Sequence, residues 1–133
     1  MKNIFMYLLY SFVLCGLFSM IGCKSDNYDN TFAEAEKILT NLEDDSSMSK
    51  DEVKEQLLLF FNTIQPIGSQ LAEERSDIES SEEELNEFKS TTEYLKMQDF
   101  NRRLVELRRN NPFVDELAKN DPDVGFACIQ AGF

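Results

Sequence analysis

One stretch decides the fold: residues 49–78, which read SKDEVKEQLLLFFNTIQPIGSQLAEERSDI. Its apolar side chains fall in a single stripe when each residue advances by about 100° around a helix axis. The stripe comprises Val53, Leu57, Phe60, Phe61, Ile64, Ile67, Leu71 and Ile78. It keeps its phase across Pro66, whereas a broken helix would have no reason to stay in register. The pattern therefore predicts one helix over about 50–79, kinked at Pro66, which forms the centre of the core.

Capping patterns mark where helices begin. Ser49 and Glu52 form a capping box at the start of the central helix, and Ser81 and Glu84 repeat the pattern. The repeat predicts a turn at residues 80–81, followed by an antiparallel helix over about 82–109. Two apolar sets in that helix differ in direction by roughly 100°, which is too large a shift for one straight helix face. We expect either a perturbation near residues 96–99 or two halves that contact different neighbours.

The remaining segments are also helical in pattern. Apolar spacing predicts a first helix over about 31–44, with Thr31 as N-cap. Near the C-terminus, Asn111 and Asp121 each precede a proline, which predicts two short helices over about 112–119 and 122–130. Strand signals are absent. We expect an all-α fold, a small bundle of three long helices plus one or two short C-terminal helices, over residues 31–133.

The N-terminal segment has the parts of an export signal. A cationic start at Lys2 precedes an apolar run over residues 4–18, and Gly22 then supplies a small residue before Cys23. The sequence Met20-Ile21-Gly22-Cys23 resembles the lipobox of bacterial lipoproteins. Cys15 is the competing cysteine, but bulky Leu14 precedes it.

The resemblance implies a lipoprotein signal peptide over residues 1–22, cleaved between Gly22 and Cys23. Cys23 would carry a diacylglycerol and usually an N-terminal acyl group such as palmitate, and residues 23–30 would form a lipidated flexible tether. Two alternatives stay open: an uncleaved transmembrane helix and an ordinary cleaved signal. Lys24 follows the cysteine in place of the aspartate that retains family members at the inner membrane. This favours the outer membrane, with the domain facing the periplasm or the cell surface.

The amino-acid composition excludes several kinds of catalytic and metal site. The chain has no histidine, which excludes imidazole-based triads and histidine metal sites. If Cys15 leaves with the signal and Cys23 is lipidated, Cys128 has no disulfide partner. We expect Cys128 to be a buried structural cysteine. We identify no catalytic residue, no metal site and no cofactor, and we expect that the protein is not an enzyme.

Charge points towards a protein partner. The chain has 13 basic and 25 acidic residues, a net charge of −12, and the loss of Lys2 with the signal would leave −13. Such a surface disfavours nucleic acid and anionic lipids but suits a basic protein. Residues 73–87 hold eight carboxylates against one Arg75. We expect a solvated face there, with a calcium site or a docking patch as alternatives. We expect four arginines to form ion pairs with residues 73–87, namely Arg102, Arg103, Arg108 and Arg109.

These observations favour a membrane-anchored envelope lipoprotein that presents an acidic helical domain for protein–protein interaction. One alternative is an immunity or inhibitor lipoprotein that neutralises a basic toxin or hydrolase. Another is a small helical ligand-binding protein, which would need an apolar cavity among four phenylalanines. These are Phe60, Phe61, Phe88 and Phe100, whose positions are more typical of a core. The sequence leaves the oligomeric state open.

Overall fold

In a computed structural model, residues 28–78 and 81–133 are described, and these residues form helices and no strand, which confirms the all-α prediction. Six helices follow in order: α1 over residues 28–44, α2 Lys50–Asp77, α3 Glu82–Ser90, α4 Thr92–Asn110, α5 Pro112–Asn120 and α6 Pro122–Gln130. The predicted signal peptide and the cleavage and lipidation residues Gly22 and Cys23 lie outside the described residues, as do residues 23–27 of the predicted tether. None of the helices in the described ranges is long and apolar enough to cross a membrane.

Helix α2 is the centre of the segment Phe32–Phe133, and α4, α5 and α6 pack against it. It begins at the predicted capping box, in which the Ser49 hydroxyl accepts a hydrogen bond from the Glu52 amide and the Glu52 carboxylate accepts one from the Ser49 amide. The helix runs on through Pro66 without a break. Six members of the predicted stripe are buried, namely Val53, Leu57, Phe60, Phe61, Ile64 and Ile67, whereas Leu71 and Ile78 are only partly buried. A single amphipathic helix therefore organises the core.

A close backbone contact joins α2 to the C-terminus. Gly68 is buried in α2, and a Cβ atom at this position would lie 2.1 Å from the carbonyl oxygen of Ala131. Ala131 is itself fully buried, and the ring of Phe133 lies 6.0 Å from that of Phe61. Only a glycine allows the two backbones to approach this closely.

The predicted third helix is two helices, so the prediction of a single helix over 82–109 was wrong. The chain is extended at Thr91, with φ −64° and ψ 147°. The Thr91 hydroxyl donates to the carbonyl of Phe88 at 2.8 Å and accepts from the amide of Tyr94 at 3.4 Å. Thr91 therefore ends α3 and caps α4, and the break lies before residues 96–99, where a perturbation was expected.

The other helix ends agree with the capping patterns. Asn111 accepts hydrogen bonds from two amides at the start of α5, and Asp121 does the same at the start of α6. Both helices begin at the predicted prolines. Helix α1 already includes residues 28–30, so Thr31 lies within the helix and is not its N-cap.

Candidate functional site

An apolar cleft of about 360 Å³ lies between α4 and α6. One wall is a helical stripe of α4 with spacing i, i+3, i+4 and i+7, formed by Asn101, Leu104, Val105 and Arg108. The other wall is formed on α6 by Val124, Gly125, Cys128 and Ile129. Leu57 and Phe61 of α2 contribute to the same cleft, together with side chains of α5 and Phe133. The cleft exists because α4 and α6 both pack beside α2 and α5 but leave the seam between them open.

Apolar side chains are exposed at the mouth of this cleft. Val105 is 44% exposed and Ile129 is 73% exposed. Single exposed apolar residues are ordinary, but exposed residues that border an apolar cleft are typical of a binding surface.

Among the described residues that line the cleft, Arg108 is the one with a charged side chain, and its ion pair is shared. The Nε atom of Arg108 donates to Oδ1 of Asp115 at 2.8 Å, and Nζ of Lys119 donates to Oδ2 of the same carboxylate at 2.6 Å. Hydrogen bonds from Lys119 and then Arg108 lower the pKa of Asp115. Two cations thus share one carboxylate, so the group as a whole is cationic.

Cys128 lies in the wall of the cleft as a free thiol, half-buried rather than buried as expected. Burial raises the pKa of its thiol, and the nearby positive charge of Arg108 acts in the opposite direction. The thiol is therefore protonated at neutral pH, a state in which cysteine is a poor nucleophile. The described residues contain no second cysteine that could pair with it.

The cavity that the ligand-binding alternative required is not formed by the four phenylalanines. Phe60, Phe88 and Phe100 are buried in the core, and the Phe60 and Phe100 rings meet edge to face at 5.4 Å. Only Phe61 also lines the cleft. Sequence periodicity could not place the cleft, because it depends on how two helices are spaced.

A second candidate surface is the acidic tip, the carboxylates at the end of α2 and the start of α3. Its members are Glu73, Glu74, Asp77, Glu82, Glu83, Glu84 and Glu87, all of them exposed. Within residues 28–78 and 81–133, none of them forms an ion pair. Paired carboxylates occur elsewhere, at Glu36, Glu43, Asp99, Glu106, Asp115, Glu116, Asp121 and Asp123. Unpaired carboxylates also occur elsewhere in this part of the chain, for example at Glu34, Asp44 and Glu55, but at the acidic tip seven of the described ones follow one another with no paired carboxylate among them.

The arginines do not pair with the acidic tip, and that prediction was wrong. Arg103 binds Glu36 and Glu43 on α1, Arg102 binds Asp99 and Glu106 on its own helix, and Arg108 binds Asp115. The reason is distance along α4, since Arg102 lies ten residues after Thr92. At 1.5 Å per residue, this places the arginines about 15 Å or more from the end of α4 that adjoins α3.

No group of three or more carboxylate or thiol side chains in the described ranges is arranged to hold a metal ion. Comparison of the chain with protein families, curated proteins and solved structures gave no match.

Proposed function

We propose that this chain is a lipoprotein of the bacterial envelope, anchored through Cys23 in the outer membrane, and that its helical domain binds a basic protein partner without catalysing a reaction. The acidic tip is the contact surface in this proposal. An immunity or inhibitor lipoprotein, directed against a basic toxin or hydrolase, is the specific form of this function that small size and negative charge favour.

The observation that carries the proposal is the unpaired charge of the acidic tip. Exposed like charges that are close in the chain repel each other, which lowers the stability of the folded chain. Elsewhere in the described ranges, carboxylates such as Glu43 and Asp121 are paired with cations. A partner with a complementary basic surface would remove the repulsion and would be steered towards the tip by its field.

The first experiment tests anchorage. The full chain is expressed with and without Cys23→Ser in bacteria fed an alkyne analogue of palmitate. We expect the unaltered chain to be labelled and to sediment with membranes, and the variant to be unlabelled and released. Membrane retention of the unaltered chain without any labelling would refute the lipid anchor and support the helical anchor. Cys128→Ser is the matched control and should leave labelling unchanged.

The second experiment tests the contact surface. Glu73, Glu83 and Glu87 are replaced together by glutamine, which removes three charges from the acidic tip. A matched control removes three exposed, unpaired charges elsewhere through Glu34→Gln, Asp44→Asn and Glu55→Gln. Both variants and the unaltered chain are used to capture proteins from solubilised envelopes.

We expect a partner that binds the unaltered chain and the control but is lost from the tip variant. Its binding should weaken as salt is raised from 0.05 to about 0.5 M, because the Debye length falls to a few ångströms. Equal capture by all three chains would refute the acidic tip as the contact surface.

A further inference from the structure

We propose that the cleft between α4 and α6 binds a fatty acid, with the alkyl chain over Gly125 and the carboxylate at Arg108. This site is separate from the acidic tip and does not depend on the function proposed for it.

Gly125 is the first observation that supports a ligand. Glycine inside a helix is less favourable than alanine, so its presence needs a reason. Gly68 has one, because a Cβ there would lie 2.1 Å from a backbone oxygen of Ala131. At Gly125 a Cβ would meet nothing within 4 Å, so packing of the chain does not require a glycine. A glycine that faces an open cleft allows a ligand to lie directly against the helix backbone.

The size and lining of the cleft define the body of the ligand. A volume of about 360 Å³ lies at the small end of the range for ligand sites, which suits a single narrow chain. Leu104, Val105 and Ile129 present apolar surface on both walls. An alkyl chain would remove the exposed surface of Val105 and Ile129 from water, and apolar area removed from water is the main source of such affinity.

Charge at the rim defines the head group. Of the three guanidinium nitrogens of Arg108, Nε alone donates to Asp115. Within the described ranges, Nη1 and Nη2 make no hydrogen bond. Asp115 also accepts from Lys119, so it neutralises the Arg108 guanidinium only in part. The planar guanidinium matches a carboxylate through two parallel hydrogen bonds. An amphiphile with a carboxylate head therefore fits this rim better than a neutral or cationic one.

The experiment uses Cys128 as a reporter of occupancy. The full chain carries Cys15→Ser and Cys23→Ser, so that Cys128 is its sole thiol, and it is held in phosphatidylcholine nanodiscs. The rate of N-ethylmaleimide addition at Cys128 is measured by intact-mass spectrometry with decanoate, decanol or decyltrimethylammonium at equal free concentrations. Binding of radiolabelled decanoate is measured in parallel by equilibrium dialysis against empty nanodiscs.

We expect decanoate to slow the modification of Cys128 at least tenfold at saturation. Decanol should bind about tenfold more weakly, since a hydrogen bond to a charged group is worth about one decade or more in affinity. Decyltrimethylammonium should give no protection. Equal protection by all three amphiphiles, or none by decanoate, would overturn the proposal.

Variants locate the site. Gly125→Leu fills the cleft and should abolish decanoate binding, while Gly125→Ala adds a single methyl group between ligand and backbone and should weaken binding less. Arg108→Gln should reduce decanoate affinity to that of decanol. Arg102→Gln removes the same charge from the same helix away from the cleft and should change nothing. If Arg108→Gln and Arg102→Gln bind decanoate equally well, the head-group assignment is wrong.

A second copy of the chain is the competing occupant of the cleft. In that case the unliganded modification rate of Cys128 would fall as protein concentration rises, and sedimentation velocity would show a dimer. Because we expect a rate independent of concentration, this outcome would also overturn the proposal.

Discussion

At the scale of single residues, two glycines lie inside helices, and only one of them packs against another part of the backbone. Gly68 faces the Ala131 carbonyl at a distance that admits no side chain, while Gly125 faces open space. Glycine therefore allows two backbone segments to touch at position 68, whereas at position 125 it leaves the cleft open.

Alanine substitution should separate the two roles. Gly125→Ala gains helix propensity without a clash and should raise the free energy of unfolding by about 1 kcal/mol. Gly68→Ala forces Ala131 away from α2 and should lower it by about 1–3 kcal/mol, the usual range for overpacking. Urea denaturation followed by circular dichroism measures both. Changes of the same sign in the two variants would contradict this account.

Asp121 links stability to pH. It caps α6 through the amides of Asp123 and Val124, and its Oδ2 accepts from Lys54 at 2.7 Å. The hydrogen bond from Lys54, followed by those from the α6 amides, lowers the pKa of Asp121. Because the folded pKa is below the unfolded value of about 3.9, this stabilisation is present above pH 4 and is lost as pH falls further.

Replacing Asp121 with asparagine tests this linkage. Asn is an equally good N-cap, so Asp121→Asn keeps the cap and removes the titrating charge. We expect the variant to be less stable than the unaltered chain at pH 7, with the difference narrowing between pH 4 and pH 2. The measurement is the urea midpoint across that range. A difference that stayed constant with pH would show that the ion pair contributes nothing to the linkage.

Residue-scale predictions from sequence succeeded where the interaction was local. Asn111, Asp121 and the Ser49–Glu52 box were predictable because a cap involves amides two or three residues away. The role of Gly68 was not, because the backbone it contacts is distant in sequence. The position of Cys128 in a cleft wall was not predictable either, because it depends on how α4 and α6 are spaced.

At the scale of elements, Arg103 holds α4 against α1. Its side chain is only 13% exposed and it reaches Glu36, Glu43 and Thr40. Hydrogen bonding to Glu43 is the main cause that raises the pKa of Arg103 above its ordinary value, so the residue stays charged at every relevant pH. The ring of Phe32 lies 6.1 Å from that of Phe100 in the same contact between helices.

Removal of this charge should loosen α1. Arg103→Gln leaves two carboxylates without their partner and should cost about 2 kcal/mol, in the range for hydrogen bonds to charged groups. Arg102→Gln, which removes two exposed ion pairs on the same helix, should cost no more than about 1 kcal/mol. Thermal unfolding of both variants provides the comparison. Equal losses would show that Arg103 has no special role in docking α1.

The division between α3 and α4 shows how much of a helix boundary can be predicted from the apolar pattern. The change of direction between the apolar sets correctly indicated a discontinuity, but not its position. Thr91 fixes that position through two local hydrogen bonds, and the Ser-Thr-Thr sequence at 90–92 was the available signal. Periodicity shows that a helix changes phase, while capping chemistry shows where.

At the scale of the whole molecule, the all-α class followed from helical periodicity in every segment of the domain. The cleft did not, because periodicity assigns a face to each helix but not the spacing between two helices that share neighbours. The location of the acidic residues could be predicted from the sequence, but the ion pairs of the arginines could not. Acid at residues 73–87 was visible in the sequence, but the arginines that seemed to complement it are engaged by other carboxylates.

Photo-cross-linking in living cells tests the central claim, that the acidic tip contacts a protein partner. A benzoylphenylalanine photo-cross-linker replaces exposed Asn86 on α3 beside the tip, or exposed Asn41 on α1 as the matched control. We predict a discrete cross-linked product in the membrane fraction from position 86 alone, which disappears when Glu73, Glu83 and Glu87 are changed to glutamine. No product from position 86, or a product that survives loss of the three charges, would contradict the account.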